Sequence, residues 1–283
     1  MSSPLTVTDH SRDSAGLTYV YPVLSRRAGG LSIGINFNTN NACNWQCIYC
    51  QVPDLTLGAA PELDFGLLEA ELRGFLAQVQ SGDFYRRFAV PEAQRVIKDI
   101  AISGNGEPTS VPRFADAVEL IGDIATSAGV LPGSRYVLIT NGSLVHQPKV
   151  QEGLKMLNRF GGEVWFKLDS ATAEGRRLIN KAGQSIDASL NNLILASGCC
   201  RTKVQVCLVD IDGQGFVEQE RRALLDALAI AKQKGDLREV MLYTLARPSL
   251  QPEAGRLGKM PEPVMRAFAD DLRQLGFEAS VSL

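Results

Sequence analysis

The sequence predicts an α/β protein with a parallel sheet, and two observations lead to this fold class. Short apolar stretches of strand length alternate with longer amphipathic stretches of helical length along the 283 residues. Strands that alternate with helices of ten or more residues are typical of βαβ units, whose strands run parallel and whose crossovers are right-handed. With 45% apolar and 21% charged residues, the chain has a globular composition, which excludes disordered and fibrous proteins.

Six strand–helix units follow one another. The predicted strands are residues 31–38, 96–103, 136–140, 164–168, 204–209 and 240–244, with a last short strand at 277–281. The predicted helices are 65–79, 114–125, 147–157, 186–196, 216–234 and 261–275, with further helical patterning up to residue 178. Apolar and polar residues alternate in the first strand, the later strands are short apolar runs, and the helices carry an apolar stripe, as the leucines of 65–79 do. Periodicity leaves open whether the units form an open doubly wound sheet or an incomplete barrel; in both, ligands bind beyond the carboxyl ends of the strands.

Charge and hydropathy exclude some classes of function. The chain carries 29 Lys and Arg against 31 Asp and Glu, a net charge of −2 that does not support a strongly basic nucleic-acid surface. No run of eighteen apolar residues is present, so no membrane span is expected. Residues 1–13 are polar and show no secretory signal, which makes the cytoplasm the expected location.

Three of the six cysteines lie within eight residues, directly after the first predicted strand. Cys43, Cys47 and Cys50 have the spacing C-x3-C-x2-C. Thiolates are the ligands that iron–sulfur clusters and zinc require, and three on one loop leave a fourth metal position free. A structural zinc site normally needs a fourth ligand near by, and neither His10 nor His146 is close in sequence. The cluster of cysteines therefore indicates a metal centre.

Polar residues follow several of the other strands. Residues 103–109 (SGNGEPT) combine glycines with a carboxylate, although alone such a segment predicts only a turn. Thr140 and Asn141 begin a turn after the third strand. Lys167 and Asp169 are expected on the same face of the fourth strand, either as a structural ion pair or as ligand-binding groups. Arg247 follows the sixth strand, where it could bind a carboxylate or phosphate, although an exposed loop arginine is the simpler interpretation.

The cysteine loop, with Tyr49 as its aromatic residue, resembles the signature of the radical S-adenosylmethionine (radical SAM) enzymes. The resemblance implies a partial (βα)6 TIM barrel over residues 31–247, with an N-terminal extension at 1–30 and a helix and strand at 248–283 that close the barrel. It implies a [4Fe–4S] cluster held by Cys43, Cys47 and Cys50, with SAM chelating the fourth iron. An electron from the cluster would cleave SAM to methionine and a 5′-deoxyadenosyl radical that abstracts hydrogen from the substrate.

The resemblance also implies which residues contact SAM. Residues 103–109 are similar to the family's glycine-rich GGEP-type motif, which holds the SAM amino group. That motif maps onto Gly104, Asn105, Gly106 and Glu107, and Asn105 stands where the family often has glycine. The strand end at Thr140 and Asn141 is expected near the ribose or methionine. Lys167 is expected to meet the SAM carboxylate and Asp169 a ribose hydroxyl, or either residue could face the substrate.

Within the family, the motifs look most similar to the branch of the wyosine-type tRNA base-modifying synthases and uncharacterised relatives. Those synthases carry additional N-terminal cysteines and need a basic surface, whereas residues 1–42 contain no cysteine and the isoelectric point is near 5.8. The substrate therefore stays open between a small molecule, a peptide and an RNA base. A reducing donor such as flavodoxin or ferredoxin is implied. An activase-like partner of another enzyme and a non-enzymatic iron–sulfur or zinc protein are the alternatives.

The remaining cysteines are Cys199, Cys200 and Cys207. Cys207 lies inside a predicted strand, where a buried cysteine usually acts as a small hydrophobic residue. A second cluster is an open alternative, although two adjacent cysteines and one strand residue make poor cluster geometry.

Overall fold

The computed structural model describes residue 5 and residues 15–25 and 29–283. His10 lies outside the described residues. Within the described part, the main sheet has the strands β1 (Val20–Ser25), β2 (Gly30–Ile35), β3 (Ile97–Ile102), β4 (Arg135–Thr140), β5 (Glu163–Lys167), β6 (Arg201–Cys207), β7 (Leu237–Tyr243) and β8 (Glu278–Ser282). The long helices are α1 (Phe65–Gln80), α2 (Phe114–Ser127), α3 (Pro148–Arg159), α4 (Ile186–Cys199), α5 (Glu218–Lys234) and α6 (Glu262–Gln274).

Short elements complete the chain between these. Two small sheets pair Ala42–Cys43 with Thr56–Leu57 and Val209–Ile211 with Leu257–Lys259. The short helical segments are Asp83–Arg87, Glu92–Gln94, Pro108–Ser110, Ala173–Gly175, the π-helical turn Arg176–Asn180, and Pro252–Arg256. None of the helices that the structure describes is long and apolar enough to cross a membrane.

The strand order distinguishes between the two folds that periodicity leaves open. The strands lie in the sheet in the order of the sequence, from β1 to β8, and every pair except β1 with β2 is parallel. A doubly wound sheet reverses its strand order at a switch point, which puts helices on both faces. Here the order does not reverse, and each long helix contacts the next in one row from α1 to α6. The helices therefore cover one face, and the other face lines the inside of an incomplete barrel.

Local sequence explains where several elements begin. α1 starts at Phe65, as predicted, because the Asp64 side chain accepts a hydrogen bond from the Leu67 amide at the helix N-terminus. Ser185 caps α4 in the same way through the Ala188 amide. Between the helices and the sheet lies one continuous apolar core.

The N-terminal extension predicted at residues 1–30 contributes an edge strand that periodicity did not reveal. β1 contains Pro22, which is compatible with an edge strand but weakens a strand prediction. It pairs antiparallel with β2, and Tyr21 packs where Gly34 has no side chain, since a Cβ atom there would lie 2.1 Å from the tyrosine ring. At the opposite edge, β8 extends the sheet beside β7, as the expected last strand should.

Candidate active site

A cleft of about 740 Å³ opens where the main parallel strands end. Its lining includes Cys43, Trp45, Cys47, Tyr49, Cys50, Gly104, Asn105, Gly106, Glu107, Asn141, Lys167, Cys207, Tyr243 and Arg247. The structure thus brings together all the predicted site residues except Thr140 and Asp169, which lie behind the cleft wall. Residues far apart in sequence meet here because parallel strands end at the same side of the barrel.

The cysteine loop, residues 38–58, is shaped by its own backbone hydrogen bonds. Ala42–Cys43 pairs with Thr56–Leu57, and the Cys43 carbonyl accepts from the Gly58 amide at 3.0 Å. The Asn38 side-chain amide donates to the Ala42 carbonyl at 2.9 Å, and the Cys50 amide donates to the Cys47 carbonyl at 2.9 Å. These bonds fold the loop so that its three thiols face the cleft.

All three thiols are unpaired and partly buried. The Cys43 sulfur accepts a hydrogen bond from the Trp45 amide at 3.4 Å, and the Cys47 sulfur accepts one from the Asn180 side-chain amide at 3.2 Å. Burial raises the pKa of the Cys43 thiol to about 12 and that of the Cys47 thiol to about 11, so both are protonated at neutral pH in the metal-free protein. Metal binding at these sulfurs releases protons.

The glycine-rich loop after β3 packs against the cysteine loop. A Cβ atom at Gly104 would lie 2.3 Å from the Asn36 Oδ1 atom, and one at Gly106 would lie 2.1 Å from the Ala42 carbonyl oxygen. The backbone amide of Asn105 donates to Asn36 Oδ1 at 3.0 Å. The two glycines therefore allow close contact with the loop that carries the cysteines, in addition to forming part of the cleft wall.

Glu107 is fully buried and holds together the ends of β3 and β4. Its carboxylate accepts hydrogen bonds from the Thr109 amide and hydroxyl, from the Thr140 hydroxyl at 2.6 Å and from the Asn141 amide at 2.7 Å. Burial raises the pKa of the Glu107 carboxyl, although these hydrogen bonds act in the opposite direction. Three of the four donors converge on one carboxylate oxygen, Oε1, and the Asn141 amide bonds the other, Oε2. The contact with the SAM amino group stays a prediction for this residue.

The β4 turn also holds the cysteine loop. The Asn141 side-chain amide donates to Asn44 Oδ1 at 2.8 Å, and the Asn44 amide donates to the Ser143 hydroxyl at 2.7 Å. Asn44 lies next to Cys43, so this turn fixes one side of the cysteine cluster. Sequence reasoning did not single out Asn44 or Ser143.

Lys167 supplies a positive charge to the cleft. Its ammonium donates to the Tyr243 hydroxyl at 2.7 Å and lies 4.8 Å from the centre of the Tyr49 ring. Burial alone would lower the pKa of this ammonium, but the nearby charge of Asp169 raises it well above its ordinary value. Lys167 makes no ion pair with any acidic side chain in the part of the chain that the structure describes, so the predicted structural pair with Asp169 is not formed.

Asp169 instead supports the cysteine loop from behind. One carboxylate oxygen accepts hydrogen bonds from the Tyr49 hydroxyl and from the Asn180 amide, and the other accepts from the Cys207 backbone amide at 2.8 Å. The Leu168 amide still donates to the Gln205 carbonyl at 2.9 Å, so the extended backbone continues past the end of β5. Lys167 and Asp169 both lie beside Tyr49, Lys167 at its ring and Asp169 at its hydroxyl, but they do not form an ion pair. The contact between Asp169 and the SAM ribose stays a prediction. In the structure, the Asp169 carboxylate accepts hydrogen bonds only from groups of the protein among the described residues.

The segment after β7 packs on the other end of the loop. The Ser249 hydroxyl donates to the Ile48 carbonyl at 2.7 Å, and the Leu250 amide donates to the Cys50 carbonyl at 3.0 Å. Arg247 lies beside these residues on the cleft wall and is half-buried. The cysteine loop is therefore held by chain segments on several sides.

Residues 37–228 match the family model described as the radical SAM superfamily, which is more than half of the chain. The chain belongs to the radical SAM superfamily. Enzymes of this family use a [4Fe–4S] cluster and S-adenosylmethionine.

Curated proteins and solved structures are similar to most of this chain. UPF0026 proteins from two strains of Helicobacter pylori, J99 and 26695, are 26% and 27% identical over 230 residues, which cover 81% of this chain and 66% of each relative. The chain thus spans slightly less than two thirds of these relatives. A radical SAM methyltransferase from Sphaerobacter thermophilus aligns with TM-score 0.62 and 18% identity, covering 93% of this chain and 68% of that chain.

Two further structures show the same fold. TYW1 with a lysine–pyruvate adduct bound aligns with TM-score 0.54 and 16% identity, covering 94% of this chain and 78% of that chain. anSMEcpe with bound AdoMet and the Cp18Cys peptide aligns with TM-score 0.53 and 17% identity, covering 86% of this chain and 58% of that chain. At these identities the likeness concerns the fold, and it confirms the partial TIM barrel.

The residues of the cleft fit the family's cofactors. Three free thiols line one wall, yet among the described residues no three His, Cys, Asp or Glu side chains meet around a single metal ion. Near the thiols, Asn105 has a buried Oδ1 atom without a partner, and Lys167 presents an ammonium group that donates to the Tyr243 hydroxyl. Both groups suit a zwitterionic ligand.

The other three cysteines do not form a second site. Cys200 precedes β6 and its thiol contacts the Gly162 carbonyl at 3.3 Å, whereas Cys207 ends β6 on the cleft wall. Cys207 lies seven positions after Cys200 along an extended strand, a separation of about 20 Å, which is too far for one cluster. Cys207 is buried, as predicted, but it also lines the cleft.

Proposed function

We propose that this protein is a radical SAM enzyme that binds a [4Fe–4S] cluster through Cys43, Cys47 and Cys50 and binds SAM in the 740 Å³ cleft. The observation that carries the proposal is the convergence of three free thiols, the glycine-rich loop and Lys167 on that cleft. When bound, the cluster supplies the electron that cleaves SAM to methionine and a 5′-deoxyadenosyl radical, which takes a hydrogen atom from the substrate. The protein's own residues bind and orient the reactants.

The amino group and the carboxylate of the methionine part of SAM each have a suitable partner in the cleft. The Lys167 ammonium can donate a charge-assisted hydrogen bond to the carboxylate. Oxygen acceptors of the glycine-rich loop, at Gly104, Asn105 and Gly106, suit the ammonium group, with Glu107 fixing the loop behind them. Tyr49 and Trp45 provide apolar surface that excludes water from the reacting atoms.

The site supports one class of reaction but is compatible with several classes of substrate. A small molecule, a peptide and an RNA base are all compatible with a cleft of this size, and the likeness to TYW1 and anSMEcpe is a likeness of fold. A net charge of −2 gives no support to an RNA substrate. Reduction of the cluster requires a one-electron donor such as flavodoxin or ferredoxin. Six free cysteines suit a reducing compartment, so we place the enzyme in the cytoplasm.

Anaerobic reconstitution tests the proposal. The protein is loaded with iron and sulfide, reduced with dithionite and given SAM, and 5′-deoxyadenosine is measured by mass spectrometry. We expect the wild type to form 5′-deoxyadenosine and Cys47→Ser to lose both intact cluster and product. Cys199→Ser is the matched control, because Cys199 lies at the end of α4 outside the cleft and should retain both. A wild-type protein with a complete cluster that forms no 5′-deoxyadenosine would contradict the proposal.

A further inference from the structure

We propose that Asn180 is a positioning residue that donates a hydrogen bond to the Cys47 sulfur and so raises the reduction potential of the cluster. This inference rests on the proposed function, since it assumes that Cys47 is a cluster ligand. Asn180 lies 133 residues from Cys47 in sequence, and no motif marks it.

The two side-chain amide hydrogens of Asn180 each have an acceptor. The Nδ2 atom lies 3.2 Å from the Cys47 sulfur and 2.8 Å from an Asp169 carboxylate oxygen. The side chain is fully buried, and its Oδ1 atom has no hydrogen-bond partner. Rotating the amide by half a turn would direct Oδ1 at the carboxylate and the sulfur, two acceptors, which is unfavourable. Asp169 therefore keeps the amide donor pointing at Cys47.

Backbone hydrogen bonds also hold Asn180 next to Cys47. Asn180 ends the π-helical turn Arg176–Asn180, and its carbonyl accepts from the Gln46 amide at 3.1 Å. The preceding carbonyl, of Ile179, accepts from the Ile48 amide at 2.8 Å. These two bonds flank Cys47 on both sides. The two backbone bonds therefore join the turn to the cysteine loop on both sides of Cys47, and the Asp169 contact fixes the Asn180 side chain itself.

A donor at a ligand sulfur changes the electronic properties of a cluster. Hydrogen bonds to the sulfurs are among the factors that set iron–sulfur reduction potentials, because they stabilise the added negative charge of the reduced state. The donor to Cys43 is the backbone amide of Trp45, which only a proline at that position would remove. The donor to Cys47 is a side chain, so its contribution can be measured by mutation.

The test compares Asn180→Ala with Asn192→Ala in the cluster-loaded protein. Asn192 is also a buried asparagine, but its amide donates to the Gly142 carbonyl at 2.8 Å rather than to sulfur. Iron and sulfide content are measured first, and the midpoint potential is then determined by reductive titration followed by EPR. We expect a more negative potential for Asn180→Ala and the wild-type potential for Asn192→Ala. Full cluster content with an unchanged potential in Asn180→Ala would overturn the inference.

A second measurement uses the wild type, in case Asn180→Ala does not fold or take up a cluster. Protein labelled with ¹⁵N only in the asparagine side-chain amides is reduced and examined by pulsed EPR. A weak ¹⁵N coupling to the cluster is expected, and its absence overturns the inference. Asn44 does not mimic this signal, because it presents its oxygen to the Cys43 sulfur, at 4.0 Å. A wild type without iron and sulfide overturns the proposed function as well, whereas a loaded wild type without coupling overturns only the role of Asn180.

Discussion

Replacing Gly106 with alanine tests whether the glycine-rich loop supports the cysteine loop. A Cβ atom at this position would lie 2.1 Å from the Ala42 carbonyl oxygen and 2.5 Å from the Asn38 Nδ2 atom. The nearer of these atoms belongs to the backbone next to Cys43. Relief of the clash therefore requires the cysteine loop itself to move, because no flexible side chain can yield instead.

The expected cost has two parts. Inserting a methyl group into a packed contact costs about 1–3 kcal/mol. The movement also disrupts the buried hydrogen bond from Asn38 to the Ala42 carbonyl, now 2.9 Å long, and a lost hydrogen bond of this kind costs about 1 kcal/mol. We expect Gly106→Ala to lower the free energy of unfolding by about 2–4 kcal/mol. Iron uptake should fall as well, because Cys43 moves with Ala42.

Urea unfolding under anaerobic conditions measures the stability, and iron and sulfide assays measure cluster content. Gly74→Ala is the matched control: Gly74 lies within α1, and no atom lies within 4 Å of a Cβ built there. Alanine is favoured over glycine in a helix by up to about 1 kcal/mol, so this control should be neutral or stabilising. If Gly106→Ala unfolds at the wild-type urea concentration and takes up a full complement of iron, the packing argument is wrong.

Three further predictions concern charged and buried groups. Lys203→Met should lower the free energy of unfolding by about 3–5 kcal/mol, because Lys203 pairs with Glu163 at 2.9 Å and Glu239 at 3.0 Å inside the barrel; an unchanged urea midpoint would refute this. Burial raises the pKa of Cys200 to about 12, so its alkylation, followed by mass spectrometry, should be slow at neutral pH and accelerate as the pH rises towards that value. A pH-independent rate would contradict this assignment. Lys167→Met should weaken SAM binding about ten- to hundredfold, the equivalent of one charge-assisted hydrogen bond, and calorimetry that finds the wild-type Kd would exclude the contact.

Much of the fold could be predicted because each long element buries one face. The apolar stripe of residues 65–79 corresponds to the buried side chains of α1, and the alternation at 31–38 corresponds to β2. The cysteine spacing and the polar residues after the strands were equally visible in the sequence. They meet in one cleft because the parallel strands bring their carboxyl ends together.

Contacts between distant segments could not be predicted in this way. β1 depends on Tyr21 packing over Gly34, which no local pattern indicates. Asn180 contacts the Cys47 sulfur through a turn that begins far along the chain, and a single buried asparagine gives no signal in one sequence. The partners of Lys167 and Asp169 could not be predicted either: both residues lie beside Tyr49, but Lys167 lines the cleft, whereas the Asp169 carboxylate accepts hydrogen bonds from the protein.

Hydrogen-bond capacity separates the polar residues that hold the cysteine loop from those available to a ligand. The Glu107 carboxylate accepts four hydrogen bonds from the protein and the Asp169 carboxylate accepts three, so most of the capacity of these two acids is used to organise the site. In contrast, Asn105 has an acceptor atom without a partner, and the Lys167 ammonium has three hydrogens, of which the Tyr243 hydroxyl accepts one. A ligand gains most from groups whose capacity is unused, since it breaks no existing bond there. An acceptor on the glycine-rich loop and a cation at the end of β5 match the amino and carboxylate groups of an amino acid, and SAM would present both groups to this cleft.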